Sequence, residues 1–183
     1  MFETERIILR GAGEADFPLL LEMYNDPTIQ RYMDIRPVAP YPPSFVENLK
    51  TMHEDAVLGV VLQHKASGAF MGEFRFTPTA AKDREVFVAI CLKNEWQGTG
   101  YGTEVMKSMI RHAFVNLGMH RLSLNVFDGN NKAKVVYEKL GFVEECRVRK
   151  KNWVEGQWED MVVMGMLESD WQKLPWKDQV RFE

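Results

Sequence analysis

No stretch of this 183-residue chain approaches the ~20 consecutive apolar residues that a membrane-spanning helix needs. The first residues carry Glu3, Glu5 and Arg6 where a secretory leader would be apolar. A soluble, cytoplasmic protein without a membrane partner is expected. Cysteine is scarce: Cys91 and Cys146 form neither a metal-ligand spacing nor a disulfide framework, so both read as reduced core residues and no metal is expected. The four histidines, His53, His64, His112 and His120, are scattered, which suits surface or interface roles. A basic excess is also missing. With 23 Lys and Arg against 26 Asp and Glu, the net charge of -3 argues against a nucleic-acid partner and tolerates a cationic substrate.

Repeats, low-complexity segments and breaks in composition are absent as well, and 45% of the residues are hydrophobic. One domain over residues 1–174 with a sizeable core is expected, followed by a loosely attached tail over 175–183. Pro37 to Pro43 reads as a stiff local loop, flanked by Tyr24, Tyr32, Tyr41 and Phe45, which suit the wall of an acceptor pocket or ordinary core packing.

Among the features present, Gln97-Gly98-Thr99-Gly100-Tyr101-Gly102 carries the most information. It follows Glu85 to Leu92, a short β-branched and apolar run that reads as a buried strand. It precedes Val105, Met106, Met109, Ile110, Ala113, Phe114 and Leu117 at helical spacing, with Gly118 where a C-terminal cap belongs. A glycine turn that opens a helix leaves N–H groups unpaired at the positive end of the helix dipole, which favours a phosphate.

Spacing separates the phosphate readers that share this outline. A P-loop requires Lys and then Ser or Thr after its last glycine, but Thr103 follows Gly102 directly. A dinucleotide fingerprint fails too, because the third glycine comes one residue early from Gly98 and is replaced by Val105 from Gly100. What remains, Gln/Arg-x-x-Gly-x-Gly/Ala on Gln97, Gly100 and Gly102, resembles the acetyl-coenzyme A loop of the GNAT N-acyltransferases.

A second motif follows in the expected order. Arg121 to Phe127 alternates as a strand, Asp128-Gly129 makes a turn, Asn130 suits a helix N-cap, and Ala133, Val136, Tyr137 and Leu140 form a helical face that Gly141 ends. The stretch from Asn130 to Phe142 resembles the GNAT signature Asn-x-x-Ala-x-x-x-Tyr-Glu-Lys-Leu-Gly-Phe. Thr4 to Arg10 with Asp16 and Tyr24 to Pro27 resembles the opening of the RimJ/RimL-type subgroup, and Trp153 to Asp160 with Met161 to Leu167 its closing hairpin. The likeness runs from about Thr4 to Trp171.

The resemblance implies an α/β GNAT fold, with a mixed, mostly antiparallel sheet of about seven strands and helices on both faces. It implies acetyl-CoA as cosubstrate and direct transfer to a primary amine in a ternary complex. The strand before the loop would pair with the pantetheine arm through Ile90, Cys91 and Leu92, and the Leu92 N–H would polarise the thioester carbonyl. Gln97, Gly98, Thr99, Gly100, Tyr101, Gly102 and Thr103 would hold the pyrophosphate, with Asn130 and Lys132 nearby. Tyr137 would donate a proton to the departing thiolate. Glu73 and Glu85 are the candidate general bases, a role that needs an apolar pocket to raise a carboxylate pKa. Asn125 stands where many relatives carry an acid, and Asn94 where many carry proline.

The acceptor stays open between a protein N-terminus, to which the subgroup likeness points, and a small amine. A spermidine-type polyamine fits the acidic balance and the signature region. The reading from another class is an acyl-CoA-binding sensor or interaction module that does not catalyse. Apolar residues on the closing strands are compatible with a homodimer.

Overall fold

Two periods alternate along the chain, and the elements follow them. In the computed structural model, residues 1–33 and 36–179 are described, so residues 180–183 of the expected tail lie outside the described residues. Strands β1 (Phe2–Glu3) and β2 (Ile7–Arg10) lead into helices α1 (Asp16–Tyr24), α2 (Pro27–Met33) and α3 (Phe45–Glu54). Then come β3 (Leu58–His64), β4 (Phe70–Pro78), β5 (Glu85–Leu92) and α4 (Tyr101–Val115). The chain closes through β6 (Arg121–Phe127), α5 (Asn131–Leu140), β7 (Val143–Val154), β8 (Gln157–Leu167) and α6 (Glu168–Trp171).

The strands form one sheet in the order β1-β2-β3-β4-β5-β6-β8-β7, eight strands where about seven are expected. The addition is the two-residue β1, whose Phe2 pairs with Leu9. Every neighbouring pair is antiparallel except β5 and β6. That parallel pairing covers only Glu85 to Phe87 against Arg121 to Ser123. Beyond it the two strands separate, and the site is built in the gap.

Strand alternation sends successive side chains to opposite faces, so each face has its own core. On one face Val60, Leu62, Phe74, Val88, Leu124 and Met164 pack with the apolar stripe of α4 and with Leu140 of α5. On the other, Phe17, Leu20, Tyr24, Phe45 and Leu49 of α1 and α3 close over Val61. Asn130 caps α5 by accepting from the Ala133 N–H, and Gly141 ends it at φ 104°. Helix α4 stops before Gly118, at Val115 with Asn116 as its cap.

Three expectations need correction. The tail is not loose over its described part: Trp176 is buried in the main core, beneath the Lys107 ammonium. Cys146 is exposed rather than in the core, because β7 is an edge strand with one face in water. The side chains of His53 and His112 are buried rather than on the surface. Among the described residues, no helix is long and apolar enough to cross a membrane.

Candidate active site

The open edge of β5 is the first component. The Lys93 N–H donates to the Met71 carbonyl of β4 at 2.9 Å. Consecutive amides on a strand point to opposite sides, so the Leu92 N–H, and that of Ile90, face away from β4 into the gap left by β6. Cys91 departs from the expectation that three residues share this edge: its amide faces β4, and its side chain points to the α1–α3 face.

The glycine loop closes one end of the gap. Gly100 adopts φ 89°, a left-handed conformation that places it as the N-cap of α4. The first intrahelical bond is from the Glu104 N–H to the Gly100 carbonyl, so the amides of Tyr101, Gly102 and Thr103 precede it with no helical acceptor. Those three and the positive-φ turn make a fitting anion cradle. Gln97 serves differently. Its N–H is used by the Asn94 carbonyl and its side-chain Nε2 donates to the Leu92 carbonyl at 2.8 Å, so it braces the loop against β5. Thr99 likewise turns its hydroxyl back to the Trp96 carbonyl.

Arg6 and Glu104 hold this cradle from outside, a pair the sequence reading did not single out. Glu104, in the first turn of α4, accepts from Arg6 Nε at 2.7 Å and from the Thr4 hydroxyl at 2.6 Å. The Arg6 guanidinium lies 4.1 Å from the Tyr101 ring centroid. Nothing in the local pattern signals a partner 98 residues away.

Tyr137 comes from the inner face of α5. Its hydroxyl has no protein hydrogen-bond partner among the described residues. Burial, with a smaller contribution from Cys91, pushes its phenol up to about 12. The Cys91 thiol is also raised, mainly by burial. Asn130, the cap of the same helix, and the exposed Lys132 in its first turn sit at the entrance end of α5.

On the α1–α3 face, Glu73 is buried in a polar cluster. Its Oε1 accepts from the Tyr24 hydroxyl at 2.5 Å and from Arg75 at 3.2 Å, while Oε2 lies 2.8 Å from His53 Nε2. Burial alone would raise its pKa, but the His53 hydrogen bond, the Arg75 charge and the Tyr24 hydrogen bond outweigh it and hold the carboxyl below its ordinary range. The apolar pocket required of a base is therefore absent around Glu73. Tyr24, Tyr41 and Phe45 do gather beside it, with Tyr41 stacked on Phe45 at 4.1 Å.

Glu85 lies elsewhere. It begins β5, seven residues and roughly 23 Å of strand from Leu92. There it pairs with Arg121 at 3.0 Å, where β5 and β6 are still joined. Its distance from Leu92 and its pairing with Arg121 argue against its acting as the base.

Helix α2 reaches across the α1–α3 face to the β7–β8 hairpin. Arg31 pairs with Glu155 at 2.7 Å and with Glu159 at 3.3 Å. A separate cleft of about 660 Å³ opens between the α1–α2 junction and Lys93–Glu95, with Asn94 hydrogen-bonded to Asp26 and Thr28 at its rim.

Comparison with known proteins bears on this arrangement. The family model described as an acetyltransferase (GNAT) domain matches residues 6–143. The spermidine N(1)-acetyltransferase of Vibrio cholerae is 24% identical over 91% of this chain and 95% of its own length. The putative ribosomal N-acetyltransferase YdaF of Bacillus subtilis is 29% identical, and the match spans about half of each chain, 49% of both. The [ribosomal protein uS5]-alanine N-acetyltransferase of Escherichia coli is 26% identical over 46% of this chain and 44% of its own. Among solved structures, the Vibrio cholerae spermidine N-acetyltransferase in complex with CoA and spermine superposes with a TM-score of 0.80 at 24% identity, over 91% of this chain and 98% of that one.

Proposed function

This chain belongs to the GNAT acetyltransferase family and is an acetyl-CoA-dependent N-acetyltransferase; from that premise we propose that it acetylates a primary amine of a small polycation of the spermidine type. What supports the transfer chemistry is the β5 edge left without a β6 partner beyond Phe87, together with a Tyr137 hydroxyl that has no hydrogen-bond partner among the described residues. Acetyl-CoA supplies the activated acyl group.

The chain's own atoms have separate tasks. The outward amides of Ile90 and Leu92 bind the arm of the cosubstrate, and the Leu92 N–H stabilises negative charge on the thioester oxygen. The amides of Tyr101, Gly102 and Thr103 hold the pyrophosphate, and the exposed Lys132 in the first turn of α5 is a further cation for the cosubstrate's phosphates. Tyr137 keeps its proton at neutral pH and delivers it to the departing thiolate. Burial raises this phenol to about 12, which keeps it protonated and available as a donor. The amine enters from the α1–α3 face and becomes neutral by losing its proton to water, since Glu73 is held in its cluster and Glu85 lies far away; the second proton, shed by the nitrogen after attack, returns to the Tyr137 phenolate.

A polycationic acceptor is favoured by the carboxylates around that face, Glu155 and Glu159 on the hairpin among them. The Vibrio cholerae relative named for spermidine matches nearly the whole chain. A peptide amino terminus is the second reading, supported by the ribosomal-protein relatives that match about half of it. CoA release measured over spermidine, short peptides, aminoglycosides and amino acids separates them. Spermidine-dependent release that Tyr137→Phe abolishes is the expected result; release with peptides alone would overturn the polyamine reading.

A further inference from the structure

Glu159 is a buried carboxylate with unused bonding capacity. Only 8% of the residue is exposed. Its Oε1 has a single long contact, 3.3 Å to Arg31, and its Oε2 is buried without any partner. Arg31 spends its shorter contact, 2.7 Å, on Glu155 instead. A buried acceptor atom left unpaired is disfavoured, the more so when it is charged, so this oxygen is the place where an added cation gains most.

The surroundings fit such a cation. Glu159 lines a recess of about 360 Å³ with Asp128, Gly129, Gln157, Trp158 and Asp160. Three of these residues carry carboxylates, and among the described residues none of the lining is basic. Asp128 and Asp160 are engaged by Arg147 at 3.0 and 3.6 Å, and Lys134 stands 3.9 Å from Asp128, whereas Glu159 keeps a buried oxygen without a partner among the described residues. Trp158, 55% exposed and edge-on to Trp153 at 5.1 Å, borders the recess from the neighbouring strand position. The close approach of Gly129 is specific: a Cβ there would overlap the Glu159 carboxylate, coming 3.0 Å from its Cδ.

The recess also lies on the correct side. Phe127 pairs with Met161 and Asn125 with Val163, so odd-numbered residues of β8, Glu159 included, share the face of Asn125 and Phe127 on β6. That is the α1–α3 face, reached by α2 through Arg31 and open to the acceptor.

We propose that Glu159, with Trp158 at its rim, is a docking subsite for an alkylammonium group of the acceptor remote from the amine that is acetylated. The inference rests on the cationic-acceptor reading and deepens it. One ammonium bound to Glu159 Oε2 anchors the molecule at the mouth of the gap while its other end reaches the thioester, which makes this carboxylate a selector of di- and polyamines over monoamines.

The test compares spermidine with propylamine as acceptors for the full chain, and titrates the protein with 1,4-diaminobutane in the presence of CoA, following indole fluorescence. In Glu159→Gln the ratio of kcat/KM for spermidine to that for propylamine falls at least tenfold, through KM for spermidine, and diamine binding weakens by a similar factor. Trp158→Leu, which leaves every ion pair in place, lowers the same ratio three- to tenfold and guards against a folding defect in the first variant. An unchanged ratio in both variants overturns the subsite. If the wild-type protein does not acetylate spermidine, the polyamine reading fails and the titration decides the subsite by itself: saturable diamine binding lost in Glu159→Gln upholds it, and absence of saturable binding overturns it.

Discussion

The Tyr24 hydroxyl donates a 2.5 Å hydrogen bond to the Glu73 carboxylate, joining helix α1 to strand β4 beneath the acceptor face. With Arg75 on the same oxygen and His53 on the other, the carboxylate is fully engaged and held anionic. With those contacts in place, Glu73 is expected to position its neighbours rather than to accept the amine's proton.

Replacing it tests that assignment. Glu73→Gln leaves the buried Arg75 guanidinium without its counter-charge and is expected to lower stability by about 3–5 kcal/mol, read as a shift in denaturant midpoint. The pH dependence of kcat/KM for the acceptor should keep its shape, rising with the neutral fraction of the amine. Loss of that dependence in the variant would make Glu73 the base.

Tyr137→Phe is expected to reduce kcat by about 10²–10⁴ while leaving the KM for acetyl-CoA within a few-fold. Because burial keeps the phenol protonated up to about 12, the wild-type rate should show no alkaline decline attributable to Tyr137 between pH ~7 and ~10. Steady-state rates across that range check both statements.

Gly100 sits at φ 89° at the head of α4, a conformation that a Cβ disfavours by about 1–2 kcal/mol. Gly100→Ala should re-aim the amides of Tyr101 and Gly102 and raise the KM for acetyl-CoA by about 5–30-fold, with kcat at saturation much less affected. Isothermal titration with CoA gives the same comparison without turnover.

Acid stability has a local origin in Asp16, which is 5% exposed and bound by both terminal nitrogens of Arg10, at 2.7 and 2.9 Å. Burial pushes its pKa up, but the Arg10 hydrogen bonds and the Gly13 N–H outweigh it and hold the folded-state value below the ordinary one. The stabilisation is thus fully present above the unfolded value, ~3.9, and is lost as pH falls through the lower folded value. Asp16→Asn should cost about 1.5–3 kcal/mol near neutrality and progressively less at low pH. Unfolding midpoints at a series of pH values measure this directly.

Local pattern determined much of this protein. The alternation of Arg121 to Phe127, the apolar spacing after Gly102, the Asn130 cap and the Gly141 stop all appear where their residues demand, because each depends on side chains within one or two turns. The glycine loop and the position of Tyr137 were legible for the same reason. Tertiary structure decided what lies across the sheet. Glu73 and Glu85 look alike in sequence, yet one is locked between Tyr24, His53 and Arg75 and the other pairs with Arg121 at the closed end of β5. The pairing of Arg6 with Glu104 and of Arg31 with Glu159 spans 98 and 128 residues. No local rule reaches that far: which charges meet depends on strand order and on where β5 and β6 part, and both are set by how the two faces of the sheet bury their apolar side chains.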